Sequence, residues 1–248
     1  METGAVTGII HSFETLGAVD GPGLRFVLFL QGCRLRCLYC HNPDTWGFES
    51  ACARSVTAEE IAREVLKYRN YYGNSGGITV SGGEPLLQIG FLIALFRILK
   101  AEGIHTAIDT SGAEYDPGEW RYDELLSLTD LVLLDIKHID NDACRRLTGR
   151  GNRETLAFAD RLSKEGIPLW VRQVLVPGFT DGEDSLRRTR DWIDTLSSVE
   201  RVEVLPYHTL GRAKYEQLGI PYRLEGVPTP SAEEVRRAEE ILCGRTAH

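Results

Sequence analysis

Six short apolar runs rich in β-branched residues punctuate the chain, at Arg25–Leu30, Ile78–Val80, His105–Asp109, Leu131–Asp135, Leu169–Val174 and Val202–Leu205. Between them the apolar positions change to helical spacing. Within Thr57–Tyr72, Ile61, Val65, Tyr68 and Tyr72 fall on one helical face, and Thr57 with Glu60 fits a capping box. Ile89–Lys100 carries Leu92, Leu95, Phe96 and Leu99 before a stop at Gly103. Further helices are predicted at Tyr122–Leu128, Glu154–Lys164, Asp184–Leu196 and Ala232–Cys243, the last capped by Ser231 with Glu234. Strands alternating with helices predict a parallel sheet with right-handed crossovers. No linker rich in Pro, Gly or Ser interrupts the pattern, so one domain over residues 1–248 is expected.

The polar residues refine this picture. Cys33, Gly82-Gly83-Glu84, Asp109-Thr110, Asp135-Ile136-Lys137, Arg172 and His208 all fall at or just past the C-terminal ends of the predicted strands. Parallel α/β folds assemble their sites at that end. Unusual polar residues at one end of every strand favour a curved sheet focused on a single cavity, a partial (β/α)6 barrel, over an open doubly wound sheet.

Composition narrows the function classes. With 42% hydrophobic and 26% charged residues the chain reads as soluble and globular. A net charge of −8 argues against a nucleic-acid surface as its main business. No apolar run reaches the ~18 residues of a membrane span. The N-terminus lacks the basic and apolar regions of a signal peptide, so a cytoplasmic location is expected. The six cysteines are too few and too clustered for a disulfide framework in a reducing compartment.

Three of those cysteines, Cys33, Cys37 and Cys40, occupy eight residues in a C-x3-C-x2-C pattern without a fourth nearby. Cys37 to His41 also spells C-x-x-C-H, the string of c-type haem attachment, but that chemistry needs export and leaves Cys33 unexplained. A thioredoxin-type pair leaves Cys33 idle as well. A Cys3His zinc site using His41 places two ligands on adjacent residues. A [4Fe-4S] cluster uses all three thiolates and leaves one iron open.

The C-x3-C-x2-C loop after the first predicted strand, followed by Ser81-Gly82-Gly83-Glu84-Pro85 after the second, resembles the radical S-adenosylmethionine superfamily. More narrowly, Ser12–Phe26 followed by Gln31-Gly32-Cys33 is similar to the glycyl-radical-enzyme activases. His41–Trp46, Asp109–Gly112, Asp135–Lys137 and Leu205–His208 extend the resemblance along nearly the whole chain. Activases of several other glycyl radical enzymes insert a second cysteine-rich segment after the first loop. Nothing of that kind lies between Asp44 and Ile78, which favours a partner of the pyruvate formate-lyase type.

The resemblance implies an oxidoreductase working anaerobically. Cys33, Cys37 and Cys40 would hold the [4Fe-4S] cluster, whose open iron chelates the methionine end of S-adenosylmethionine. One electron would cleave the cofactor, and the resulting 5′-deoxyadenosyl radical would take a hydrogen atom from a glycine Cα of the partner. The segment Gly82, Gly83 and Glu84 would receive the methionine amino group, Asp135, Ile136 and Lys137 its carboxylate end, and Tyr39, Cys40, His41 and His208 the rest of the cofactor. Asp109, Thr110 and Asp135 would form an oxygen-ligand site for a monovalent cation. Asp20 and Arg172 would contact the glycine-bearing loop of the partner.

Each residue also has a plainer reading. Gly82 and Gly83 suit a strand-to-helix turn, Asp109 or Thr110 a cap, and the segment Asp20–Gly23 a tight turn. Arg34, Arg36, Arg212 and Lys214 are either solvated charge or a docking patch for an acidic electron donor such as flavodoxin. A monomer is expected. Cys52, Cys144 and Cys243 read as lone thiols outside the cluster.

Overall fold

The structure is a computed structural model and describes residues 5–244. The described residues form eight strands and eight α-helices: β1 Thr7–Gly17, β2 Arg25–Leu30, β3 Arg54–Thr57, α1 Ala58–Leu66, β4 Gly77–Gly82, α2 Ile89–Ala101, β5 His105–Thr110, α3 Arg121–Ser127, β6 Leu131–Asp135, α4 Asn141–Thr148, α5 Arg153–Glu165, β7 Leu169–Leu175, α6 Glu183–Ile193, β8 Val199–Pro206, α7 Arg212–Leu218 and α8 Ala232–Leu242.

The chain forms two compact units that alternate along the sequence. The first holds the described residues up to Arg34, with Thr45–Thr110 and Asp116–Leu133. Its strands run in the order β3-β1-β2-β4-β5, followed by the start of β6. β2 pairs parallel with β4, and β4 with β5. Their side chains are mostly buried, as expected of strands in a parallel sheet. α2 covers this sheet with Phe91, Leu92, Leu95, Phe96 and Leu99, all nearly inaccessible. The second unit holds Leu35–Asp44, Ser111–Tyr115 and the described residues from Leu134 on. There the end of β6 adjoins β7, and β7 pairs parallel with β8. Leu175, Leu186, Val204, Ala238 and Leu242 knit β7, α6, β8 and α8 into one core.

The six strands expected from the sequence are β2, β4, β5, β6, β7 and β8. Two were missed. β1 runs antiparallel to both β2 and β3, a departure from an all-parallel sheet. Its sequence mixes polar and apolar residues without alternation because much of it is only half-buried, and β3 is a four-residue edge. β3 is an edge strand of the first unit and β8 of the second. The helix expected over Thr57–Tyr72 ends at Leu66 and gives way to a 3-10 turn at Arg69–Tyr71, with Tyr72 Oη donating to the Val65 carbonyl (2.7 Å). Its capping box is present as expected, Thr57 Oγ1 accepting from Glu60 N and the Glu60 carboxylate from Thr57 N. The short helices α4 and α7 were not foreseen, since their largely polar sequences carry too few apolar positions to show a period.

Candidate active site

In the first unit the entry to the cysteine loop is held by backbone and amide hydrogen bonds. Gly32 N donates to Thr45 O (2.8 Å), and Cys33 N donates to Trp46 O (3.0 Å). Gln88 works as a surrogate strand residue: its Oε1 accepts from Ile9 N (2.7 Å), while Nε2 donates to Ile9 O (2.8 Å) and Gln31 O (2.9 Å). These contacts fix the end of β2, and with it the first cysteine.

The segment expected to meet the methionine amino group sits at the end of β4. Gly83 N donates to Leu30 O (2.9 Å), and Glu84 N donates to Gly32 O (2.8 Å). A Cβ on Gly83 would collide with the Gly32 carbonyl, and one on Gly82, at φ +111°, with the Leu30 backbone. The two glycines therefore permit a close approach of the neighbouring chain that neither the turn nor the ligand reading had included. Glu84 is buried; its carboxylate accepts from Leu86 N (3.2 Å) and from Thr110 Oγ1. Asp109 Oδ2 accepts from Ser81 Oγ (2.7 Å).

Asp20 lies in the bend before β2, and its carbonyl accepts from Thr79 Oγ1 (2.6 Å). Arg25, which sequence reasoning passed over, is wholly buried beneath this bend. Its guanidinium donates to Thr79 Oγ1 (2.9 Å) and to the carbonyls of Pro22, Ser75 and Ile78, and it contacts His105 Nδ1 (3.2 Å). Burial pulls its pKa down to about 10, still charged at neutral pH. The signal was a lone arginine opening an otherwise apolar strand.

In the second unit the loop continues through Cys37 and Cys40. Arg36 N donates to Thr148 O (2.7 Å) and Leu38 N to Leu147 O (2.9 Å), so the loop takes up carbonyls left over at the end of α4. Cys40 N donates to Cys37 O (3.2 Å), closing a turn between the two cysteines. All six cysteines are free of disulfides, Cys37 and Cys144 buried and Cys33 and Cys40 half-buried. Among the described residues no three His, Cys, Asp or Glu side chains converge as ligands of one metal ion.

Asp135 and Lys137 share a side, as the two-residue period of a strand predicts. Lys137 Nζ donates to Asp135 Oδ2 (2.8 Å), and Arg172 Nε donates to Asp135 Oδ1 (3.0 Å). Burial raises the Asp135 pKa, but Arg172 and then Lys137 outweigh it and leave the carboxyl below its ordinary range. Burial lowers that of Lys137, yet Asp135 and Tyr39 hold the ammonium well above the usual lysine value. Lys137 also lies over the Tyr39 ring, 5.7 Å from its centroid. Ile136 between them is buried, with its N–H donated to Arg172 O (2.8 Å).

His41 stacks on His208 with ring centroids 3.9 Å apart, and its Nε2 lies 3.2 Å from the His208 carbonyl oxygen. Burial, then the neighbouring His208, lowers the His41 pKa, favouring a neutral ring. Two buried polar atoms here lack a protein partner, Tyr39 Oη and His208 Nδ1. Such atoms are costly unless something satisfies them. They lie on residues expected to line the cofactor, Tyr39 on the same loop as Cys37 and Cys40, so this donor set fits a cluster with a polar organic ligand. Of the four cations considered for donor docking, Lys214 is paired with Asp44 (3.0 Å) and Arg212 with Glu225 (3.1 Å).

Comparison with known proteins bears on this geometry. A family model described as the radical SAM superfamily matches residues 27–191. The chain is 48% identical over 244 residues to a pyruvate formate-lyase-activating enzyme of Streptococcus mutans, covering 97% of this chain and 93% of that one. It is 53% identical over 235 residues to the protein of the same name in Staphylococcus epidermidis, covering 93% of each. A crystal structure of a domain of pyruvate-formate lyase-activating enzyme from Bacteroides vulgatus matches with a TM-score of 0.56 at 27% identity, over 68% of this chain and 93% of that one.

Proposed function

Since this chain belongs to the radical S-adenosylmethionine superfamily, we propose that it activates a pyruvate formate-lyase by installing a glycyl radical on it under anaerobic conditions. The observation that carries this reading is identity of 48–53% to pyruvate formate-lyase-activating enzymes over more than nine-tenths of both lengths. The partial (β/α)6 barrel is the fold of that family, and residues 1–248 are read as one domain of it.

Bound at this site, a [4Fe-4S] cluster supplies one electron at low potential, and S-adenosylmethionine supplies the adenosyl carbon that takes the hydrogen atom. The chain's part is to bind, orient and exclude water. Cys33, Cys37 and Cys40 hold the cluster, as their spacing supports. Lys137 and the segment Gly82 to Glu84 take the two charged groups of the methionine. Asp135 keeps Lys137 protonated at any physiological pH and holds it in place. Tyr39 Oη and His208 Nδ1 offer buried polar partners to the adenosyl end, with the neutral His41 ring as its wall. Asp20 and Arg172 receive the glycine-bearing loop. Asp109, Thr110 and Asp135 serve a monovalent cation. The electron donor is flavodoxin or a similar acidic protein docking at Arg34 and Arg36, and the chain acts as a cytoplasmic monomer. Among the described residues no helix is long and apolar enough to cross a membrane.

The test is anaerobic reconstitution with iron and sulfide, then reduction with S-adenosylmethionine and pyruvate formate-lyase. A glycyl signal by electron paramagnetic resonance is expected. Its absence with this lyase, together with a signal on another glycyl radical enzyme, overturns the partner. Reversing the charge of Arg34 and Arg36 should slow donor-dependent reduction and flatten its salt dependence; an unchanged rate removes the docking patch.

A further inference from the structure

The chain that follows β8 is built onto the limb of the cysteine loop that leaves Cys40. Tyr215 Oη donates to the Cys40 carbonyl oxygen (3.1 Å). Lys214 Nζ donates to Asn42 Oδ1 (2.8 Å) and pairs with both oxygens of Asp44 (3.1 and 3.0 Å). Gly211 packs so closely that a Cβ would sit 2.8 Å from His41 Cα. Positions 40, 41, 42 and 44 are thus each held by a residue of the segment Gly211–Tyr215.

On the near side the loop is already fixed, by Arg36 N on Thr148 O and Leu38 N on Leu147 O. The far side has an anchor of its own beyond the 3.2 Å hydrogen bond that closes the turn between Cys37 and Cys40. We propose that Lys214 and Tyr215 are positioning residues for the third cluster cysteine: they hold the Cys40 backbone and the limb beyond it, so that the Cys40 thiolate stays in register with Cys37. Tyr215 Oη acts on the Cys40 backbone carbonyl and Lys214 Nζ on the Asn42 and Asp44 side chains, so their effect reaches the thiolate through the chain. The inference rests on the reading of Cys33, Cys37 and Cys40 as cluster ligands.

Removing a group that supports a metal ligand costs 10–100-fold in metal affinity as an order of magnitude. Lys214 is partly exposed and Tyr215 buried, so the variants differ in risk to the fold. Lys214→Met removes a half-exposed charge, which costs little stability. Tyr215→Phe removes only the hydroxyl and keeps the ring edge-on to Tyr222 at 5.1 Å. Arg212→Met is the control: it sits on the same helix but pairs with Glu216 and Glu225.

The experiment reconstitutes the full chain anaerobically with iron and sulfide, then follows iron release to a chelator and the paramagnetic resonance spectrum of the reduced cluster. Lys214→Met and Tyr215→Phe should each release iron about 10-fold faster than wild type, with altered cluster g-values, while Arg212→Met behaves as wild type. Release rates and spectra like wild type in both variants overturn the proposal. So does an equal effect of Arg212→Met, which would mark general loosening of α7. Failure of the wild-type chain itself to take up a cluster overturns the ligand reading, and this inference with it.

Discussion

Arg172 and Asp135 meet at 3.0 Å, the guanidinium of β7 closing on the carboxylate that ends β6, while Lys137 takes the other carboxylate oxygen. Both partners are largely shielded, with 9% and 19% of the side chain exposed. Breaking such a pair from one side leaves a charge buried and short of a partner, at a cost of about 3–5 kcal/mol. Lys137 stays to compensate, so Arg172→Gln should cost about 3 kcal/mol, at the low end of that range. The double variant Asp135→Asn/Arg172→Gln should recover none of the loss, because it leaves the shielded Lys137 ammonium without its carboxylate partner. Urea unfolding of the two variants measures the coupling, and an Arg172→Gln midpoint equal to wild type would refute it.

The second prediction concerns the cysteines. Ser at 33, 37 or 40 should abolish reconstitution of the iron–sulfur chromophore, whereas Ser at 52, 144 or 243 should leave iron content unchanged. Cys52 is exposed, and Cys243 directs its thiol to the Val202 carbonyl (3.3 Å). Cys144 is buried within α4, where burial pushes its thiol pKa up, away from the thiolate a metal needs. Cluster loss on replacing any of these three would reveal a ligand outside the loop.

These two cases mark what could be read from the chain. Cys33, Cys37 and Cys40 are legible because their spacing is local, and Asp135 with Lys137 because a strand alternates. The run of polar residues at strand ends was legible because parallel sheets gather function there. Arg25, Gln88, Lys214 and Tyr215 were not. Gln88 bonds to Ile9 from 79 residues away, and Tyr215 to Cys40 across 175, distances at which no sequence pattern couples two side chains. β1 escaped for a related reason: it is half-buried and paired antiparallel, so its apolar positions lack the continuous run that exposed the six foreseen strands.

The third prediction follows from the close approach at the end of β4. A methyl group at position 83 would have to displace the Gly32 carbonyl, which accepts the Glu84 N–H and lies one residue before Cys33. Backbone cannot yield as a flexible side chain does. Gly83→Ala should therefore cost about 1–3 kcal/mol through overpacking, and it should weaken cluster retention as well as S-adenosylmethionine binding. A variant that keeps wild-type stability and iron but loses only cofactor affinity would show that the glycine serves the ligand alone.

The last prediction concerns pH. His105 Nδ1 lies 3.2 Å from the Arg25 guanidinium, and a protonated ring there would face a cation. Burial, and then Arg25, holds the His105 pKa below its ordinary value of 6.5, with Asp130 opposing and Lys100 reinforcing the shift. In the unfolded chain the ring protonates near its ordinary pKa, so below it the unfolded state binds more protons than the folded one. Stability should accordingly fall as pH drops from about 6.5 through the folded pKa of His105, with a slope of at most about 1.4 kcal/mol per pH unit from this one group. His138, whose pKa burial also lowers, adds a second contribution of the same sign. His105→Gln keeps a polar partner for Arg25 without a titrating ring, so it should flatten the decline between pH 7 and 5 without removing it. Urea midpoints across that range provide the measurement. A slope as steep in His105→Gln as in wild type would mean that the contact with Arg25 does not govern this titration.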